Sequence, residues 1–375
     1  MQRHPATRLR TALLALALLA TAPALAAQGR IVLLDKQRKP VAQADVTVLA
    51  ETLDTVRFAA RSGGETTRKT ADVVEIDYGP GSESFQQGVR ARASGDLSAA
   101  EGFFAAASRD SSPPWVAAQA LLAQAQAAAA RGAAGLPAAL GALEEFRRRF
   151  PEHRLLPQAL LDEARLSGAA GDEPRSRTAR AALLALAKDG KVTPDWIARA
   201  RLQEGDALLA AGDARQAARA FAEAESAAKE RPAERPDLAA VMEPLMRAAR
   251  LGTGSCLLAA GDLPAARAFW EQLARDGRDD PVTRAAAANG IAECDFREPG
   301  KLKQAQLGFA RVALTAAAVP EERAHALYYL GCCAQELGKA GREPDAARRA
   351  ADCFREVVAR YPDSRWAVRA RESLP

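Results

Sequence analysis

The chain has 375 residues, 26% of them charged, 48% hydrophobic and only 5% aromatic, with a formal net charge of +5. Three arginines, Arg3, Arg8 and Arg10, lie within residues 1–26, where there is no acid, so the remainder is nearer +2. Charges of both signs are interspersed there, which reads as an ordinary solvated surface and argues against nucleic-acid binding; about 350 further residues exceed one compact core and predict two domains.

Residues 1–26 set those arginines ahead of an apolar run at 12–19 and close on Ala24-Leu25-Ala26. A basic start, a short apolar core and small residues at the cut predict a secretory signal peptide, since a membrane-spanning helix needs ~20 apolar residues. No cysteine follows the cut to carry a lipid, and no later segment is apolar enough to span a bilayer. The expected product is periplasmic or secreted.

Residues 27–80 read as a small β-domain. Runs rich in β-branched residues at 30–34, 44–49, 54–58, 65–69 and 72–78 are separated by turn formers at 37–40 and 62–64. Five short strands this close together predict a small antiparallel β-barrel. The ending Asp72-Val73-Val74-Glu75-Ile76-Asp77 resembles the last strand of Sm-like or Src-homology-type barrels attached to exported bacterial repeat proteins. That resemblance implies a module that grips a peptide or glycan, or one that caps the first helical repeat. Phe58 and Tyr78 are its only aromatics, too few for a base-stacking surface. Gly79-Pro80-Gly81-Ser82 marks the boundary, with helices from Glu83.

The remainder, 81–375, is alanine-rich and favours helix, but glycine and proline interrupt it too often for one long coiled coil. Gly-Asp pairs recur at Gly95-Asp96, Gly171-Asp172, Gly212-Asp213 and Gly261-Asp262. In three units a glycine precedes the pair by seven residues (Gly88, Gly205, Gly254), and an alanine and an aromatic follow it: Ala100/Phe104, Ala217/Phe221 and Ala266/Trp270. This spacing resembles the tetratricopeptide repeat, a helical hairpin of about 34 residues that stacks into a solenoid. The fold class expected is mainly α: a tetratricopeptide-like α-solenoid behind the β-barrel. Seven pairs plus a terminal half-unit follow, with first-helix reference positions Gly88, Ala125, Ala164, Gly205, Gly254, Gly290 and Gly331. Asp96, Asp172, Asp213 and Asp262 are read as caps of second helices, with Gln216 closing a capping box.

Phe150-Pro151 and Tyr361-Pro362 share one spacing, and Arg360-Tyr361-Pro362-Asp363-Ser364 is similar to repeats of bacterial cell-envelope proteins, including those of the Tol-Pal system and outer-membrane assembly lipoproteins. The proline-rich stretch 229–244 reads as a hinge between two arms. Trp366 and Val368 in the last half-unit suggest that something covers the C-terminal end.

Chemistry is sparse. No catalytic motif or metal-ligand spacing is present, and no cofactor is expected. His153 is read as solvated, His325 as a surface or groove residue, and Arg147-Arg148-Arg149 as a solvated helix face balanced by Glu144 and Glu145. An enzyme would need a buried polar cluster assembled by the fold. The five cysteines read as small core residues, with Cys333–Cys353 the pairing to test if one disulfide forms. In tetratricopeptide arrays the first helices line a concave groove; the resemblance places Gln86, Arg92, Arg165, Gln203, Asp206, Ser255, Arg284, Tyr328 and Gln335 there. The function it implies is a non-enzymatic extracytoplasmic scaffold holding another envelope protein. The alternative is a glycan- or peptidoglycan-associated module in which the β-domain binds and the repeats act as a spacer.

Overall fold

The computed structural model describes residues 29–61, 63–230, 235–339 and 345–374; the expected signal peptide and the middle of the 229–244 stretch lie outside them. Five strands come first: β1 (Gly29–Leu34), β2 (Pro40–Glu51), β3 (Thr55–Ala60), β4 (Gly64–Lys69) and, after a 3-10 turn at Thr70–Asp72, β5 (Val73–Asp77). The sheet is antiparallel in the order β4-β3-β2-β1-β5. β2 bends where Asp45 takes φ 57°, so its first half pairs with β1 and its second with β3.

The expected barrel does not close. No ladder joins β4 to β5, and the two stand as opposite edges of an open sheet. The reason lies in what fills its inner face. Ile31, Val46, Val48, Val56, Phe58 and Val73 pack onto Ala107, Trp115, Val116 and Ala120 of the helical region, which take the place of the sheet's own far wall.

Fifteen α-helices follow among the described residues, paired as α1 (Glu83–Ala93) with α2 (Leu97–Ala107), α3 (Val116–Ala129) with α4 (Leu136–Arg149), α5 (Leu156–Ala169) with α6 (Glu173–Lys188), α7 (Pro194–Ala210) with α8 (Ala214–Lys229), α9 (Ala239–Ala259) with α10 (Leu263–Asp276), α11 (Pro281–Arg297) with α12 (Leu302–Thr315) and α13 (Pro320–Lys339) with α14 (Ala346–Arg360). The half-unit α15 (Arg365–Ser373) ends the array. All seven reference positions fall on first helices.

The repeated residues explain the hairpin. Gly95, Gly171, Gly212 and Gly261 take φ between 77° and 85°, where a side chain is strained, and the following aspartate accepts a backbone N–H from Ala99, Arg175, Gln216 or Ala265 at 3.0–3.1 Å. The Gln216 amide binds the Asp213 carboxylate rather than the cap's backbone N–H, so the expected capping box is absent. Upstream glycines leave room for the ring of the second helix. A Cβ at Gly88 would lie 2.7 Å from Phe104, at Gly205 2.6 Å from Phe221, and at Gly254 or Gly290 2.3 Å from Trp270. The aromatic therefore wedges onto glycine backbone, and Trp270 does so on two successive repeats at once.

Phe150 and Tyr361 end their helices with nearly the same backbone (φ −129°, ψ 54° and φ −132°, ψ 53°), and each N–H closes the last helical turn. The described part of the 229–244 stretch is partly helical. Pro236 opens a 3-10 turn and Pro244 lies inside α9. Trp366 is 4% exposed, covered by its own chain rather than awaiting a cover, while Val368 is exposed. All five cysteines are free, Cys256, Cys294 and Cys333 in the core, so the Cys333–Cys353 bond is not formed.

Candidate functional site

First helices stack side by side, α7 on α9, α9 on α11, α11 on α13 and α13 on α15. Asp206, one of the expected groove residues, lies on α7. It is open to solvent yet crowded by surrounding protein, and that crowding raises its pKa while the charge of Arg365, on α15 four repeats later, opposes the rise. Arg365 is itself held 3.3 Å from Glu321.

The other groove candidates divide by what they touch. Gln86 donates to the Gly81 carbonyl (3.0 Å) at the start of α1, and Arg92 reaches Gln126 on α3 (3.5 Å) over the Phe104 ring. Gln203 donates to the Leu161 carbonyl (3.3 Å), and the Ser255 hydroxyl to Leu251 (3.0 Å) in its own helix. These four side chains already hold contacts within the solenoid. Arg165 stays exposed, 3.7 Å from Asp162. Arg284 on α11 lines a cleft beside α12, and Gln335 on α13 one beside α14. Tyr328 packs against Phe354 and Trp366, centroids 5.6 and 5.4 Å apart.

A buried polar cluster lies between α11, α13 and α15. His325, read from the sequence as a surface or groove residue, is 7% exposed and stacks on Trp366 at 4.0 Å. Its Nε2 is 3.5 Å from Glu293 Oε2 and its Nδ1 3.7 Å from Glu322 Oε2. Glu293 also receives Arg297 (2.7 Å) and the Tyr329 hydroxyl (2.8 Å), and Asn289 donates to Glu322 (2.9 Å). Burial opposes each charge here, but the pairings win. His325 is shifted up, Glu322 down, and Glu293 down to about 2. Two carboxylates against a histidinium and a guanidinium make a neutral joint between repeats.

A second cluster fastens the sheet to the helices. Glu51 accepts Arg154 Nε and the Tyr78 hydroxyl, both at 2.8 Å, and Arg154 donates to Tyr78 at 2.8 Å. The His153 side chain is 10% exposed and lies 3.8 Å from Glu51, largely shielded rather than solvated, and desolvation lowers its pKa. The Leu53 N–H donates to the Glu152 carbonyl (2.7 Å), Lys191 binds Asp54 (2.6 Å) and Arg235 reaches the Ala71 carbonyl (3.3 Å). The sheet thus grips three successive inter-repeat connections: α4 to α5, α6 to α7 and α8 to α9.

The arginine run is also structural. Arg147 and Arg175 each meet buried Glu163 at 2.8 Å beside a cleft of about 700 Å³, and Arg149 donates to the Ser108 carbonyl (2.9 Å); only Arg148 remains mostly exposed, on Glu145. The sequence hid these partners because each lies on another helix. Within α11 and α13, however, Glu293/Arg297 and Glu322/His325/Tyr329 stand at helical i+3 and i+4 spacing, a signal that they share a face.

Among the described residues no group of histidine, cysteine and acidic side chains is arranged to hold a metal, and no helix is long and apolar enough to cross a membrane. No protein-family model and no curated protein matches the chain. A solved tetratricopeptide repeat protein from Parabacteroides merdae superposes with a TM-score of 0.53 at 16% identity, covering 74% of this chain and 91% of its own. The likeness concerns the fold: the helical region is a tetratricopeptide-like α-solenoid.

Proposed function

We propose that this chain is a non-enzymatic extracytoplasmic scaffold, exported by residues 1–26, that holds another cell-envelope protein against the face formed by its first helices. The observation that carries the proposal is the side-by-side stacking of the first helices, α7 on α9, α9 on α11, α11 on α13 and α13 on α15, in a tetratricopeptide-like solenoid. Exposed charges of both signs on first helices, Asp206 on α7 and Arg365 on α15, suit a partner segment carrying both signs. The aromatic-Pro repeats and their resemblance to envelope proteins favour that compartment. Support for a scaffold over an enzyme comes from the Glu293/His325/Glu322 cluster, whose members are each under a tenth exposed and committed to one another.

The glycan-binding alternative finds less support. Phe58 is fully buried, and Tyr78 packs tilted against Trp115 at 4.8 Å with its hydroxyl held by Glu51 and Arg154, so neither ring offers a sugar platform. Asp206→Arg and Tyr328→Ala test the scaffold: each should weaken partner binding with the circular dichroism spectrum intact. Unchanged partner recovery in pull-downs from both variants would refute it.

A further inference from the structure

Sheet and solenoid do not meet completely. A cavity of about 460 Å³ stays open between the Leu53-Asp54 turn, the start of β5, the first turn of α5, the α6–α7 connection and the 3-10 turn before α9. Its apolar wall comprises Leu53, Val74, Leu155, Val192, Trp196 and Leu238. Trp196 is partly exposed there, whereas Trp115, Trp270 and Trp366 are each 4–5% exposed.

The charges around this cavity cancel in pairs. Lys191 sits on Asp54 (2.6 Å), Arg154 on Glu51 (2.8 Å), Arg235 on Asp237 (2.7 Å) and Arg199 on Asp195 (3.6 Å). Lys69, at the end of β4, is the remainder. It lines the cavity, is exposed, and has no acidic partner among the described residues. A cavity of this size with an apolar wall beside a polar one, and one unneutralised cation at its rim, matches a ligand that joins an apolar part to one negative group. A cationic ligand would meet Lys69 unfavourably, and a polyanion would find the other cations already paired.

We propose that this cavity is a binding site for a small amphipathic carboxylate, its apolar part against Trp196 and Leu155 and its carboxylate at Lys69. The site includes neither Asp206 nor Arg365, so it stands or falls independently of the scaffold proposal. Its walls come from the sheet and from the same three connections the sheet grips, so occupancy strengthens that junction and raises thermal stability by mass action. A fatty acid and the C-terminus of a peptide ending in an apolar residue share this chemistry.

The test uses the whole protein with octanoate, octanol, octylamine and the acetylated tripeptide alanyl-alanyl-leucine as probes, read by calorimetry and by tryptophan fluorescence. One or both acids should bind one-to-one and perturb a fluorescence signal that Trp196→Phe removes; which acid binds more tightly names the source. Octanol and octylamine should bind at least about fivefold more weakly than octanoate if octanoate is the ligand, and Lys69→Ala should abolish the preference for acid, as expected of one exposed ion pair. Lys69 is exposed, so that variant folds. The proposal is overturned if neither acid binds, if octanol matches the preferred acid, if Lys69→Ala leaves acid affinity unchanged, or if binding persists without any change at Trp196.

Discussion

Trp270 provides the sharpest test of how the repeats pack, because its ring is wedged between two glycines on adjacent first helices. An alanine Cβ at Gly254 would fall 2.3 Å from Cζ2, and one at Gly290 2.3 Å from Cδ2 and Cε2, more than 1 Å inside the ordinary contact range that begins at 3.4 Å. The indole is rigid and confined on both sides, so it cannot swing away as a flexible side chain would. Overpacking of this kind costs about 1–3 kcal/mol, while replacing a helical glycine by alanine returns about 1 kcal/mol of propensity. The net expectation for Gly254→Ala or Gly290→Ala is a loss of about 0–2 kcal/mol, against a gain at an uncrowded helical glycine. Gly102 and Gly141 are the controls: both lie inside helices, both are exposed, and a Cβ at either meets nothing within 4 Å. Gly102→Ala and Gly141→Ala should therefore stabilise by about 0.5–1 kcal/mol. Urea titrations followed by circular dichroism measure the sign directly as a shift in midpoint. A Gly290→Ala midpoint raised as far as that of Gly102→Ala would refute the wedge.

Other consequences follow from the buried clusters and caps. Arg154→Ala leaves the Glu51 carboxylate, 1% exposed, without its cation; the expected loss is about 3–5 kcal/mol in urea or thermal unfolding, and a loss below about 1 kcal/mol would show that the sheet is fastened elsewhere. The folded pKa of His325 is raised, so its contribution is complete below the unfolded value of about 6.5 and disappears as pH rises through the higher folded value. Glu293 has the opposite sense, contributing fully above about 4.5 and losing that contribution as pH falls toward about 2. The unfolding midpoint should thus fall more steeply for the natural protein than for His325→Gln between pH 6.5 and 9; parallel profiles would contradict the ion-pair assignment. Asp262→Ala removes a helix cap and should cost about 1 kcal/mol by the same titration, while an unchanged midpoint would remove the cap's role.

Much of the helical architecture is legible because its determinants are local. A Gly-Asp pair codes both a left-handed turn and the cap of the next helix, and a glycine at fixed distance codes where a ring must fit, so hairpin number and reference positions follow from spacing. Residues whose roles depend on partners elsewhere are not legible in that way. His325 looks solitary until Glu293 arrives from another helix, and Arg147 looks solvated until Glu163 is placed beneath it. Barrel closure failed as an expectation for a similar reason: alternating strands reveal an apolar face but not what covers it, and here Trp115 and Val116 of the solenoid do so. The groove candidates, carried over by register, include Gln203 and Ser255, whose hydrogen bonds point back into the helices; Arg365, on the half-unit α15, lies beyond the last complete repeat.

The central proposal is that the first-helix face holds a protein partner. Photo-crosslinking amino acids placed singly at Asp206, Tyr328 and Arg365, with exposed Leu307 and Leu314 of the second helix α12 as controls, test it in the cells that make the protein. The account predicts crosslinks to one and the same protein from the first-helix positions and none from the controls. Crosslinks confined to α12, or none from any first-helix position while the protein is exported and folded, would contradict it.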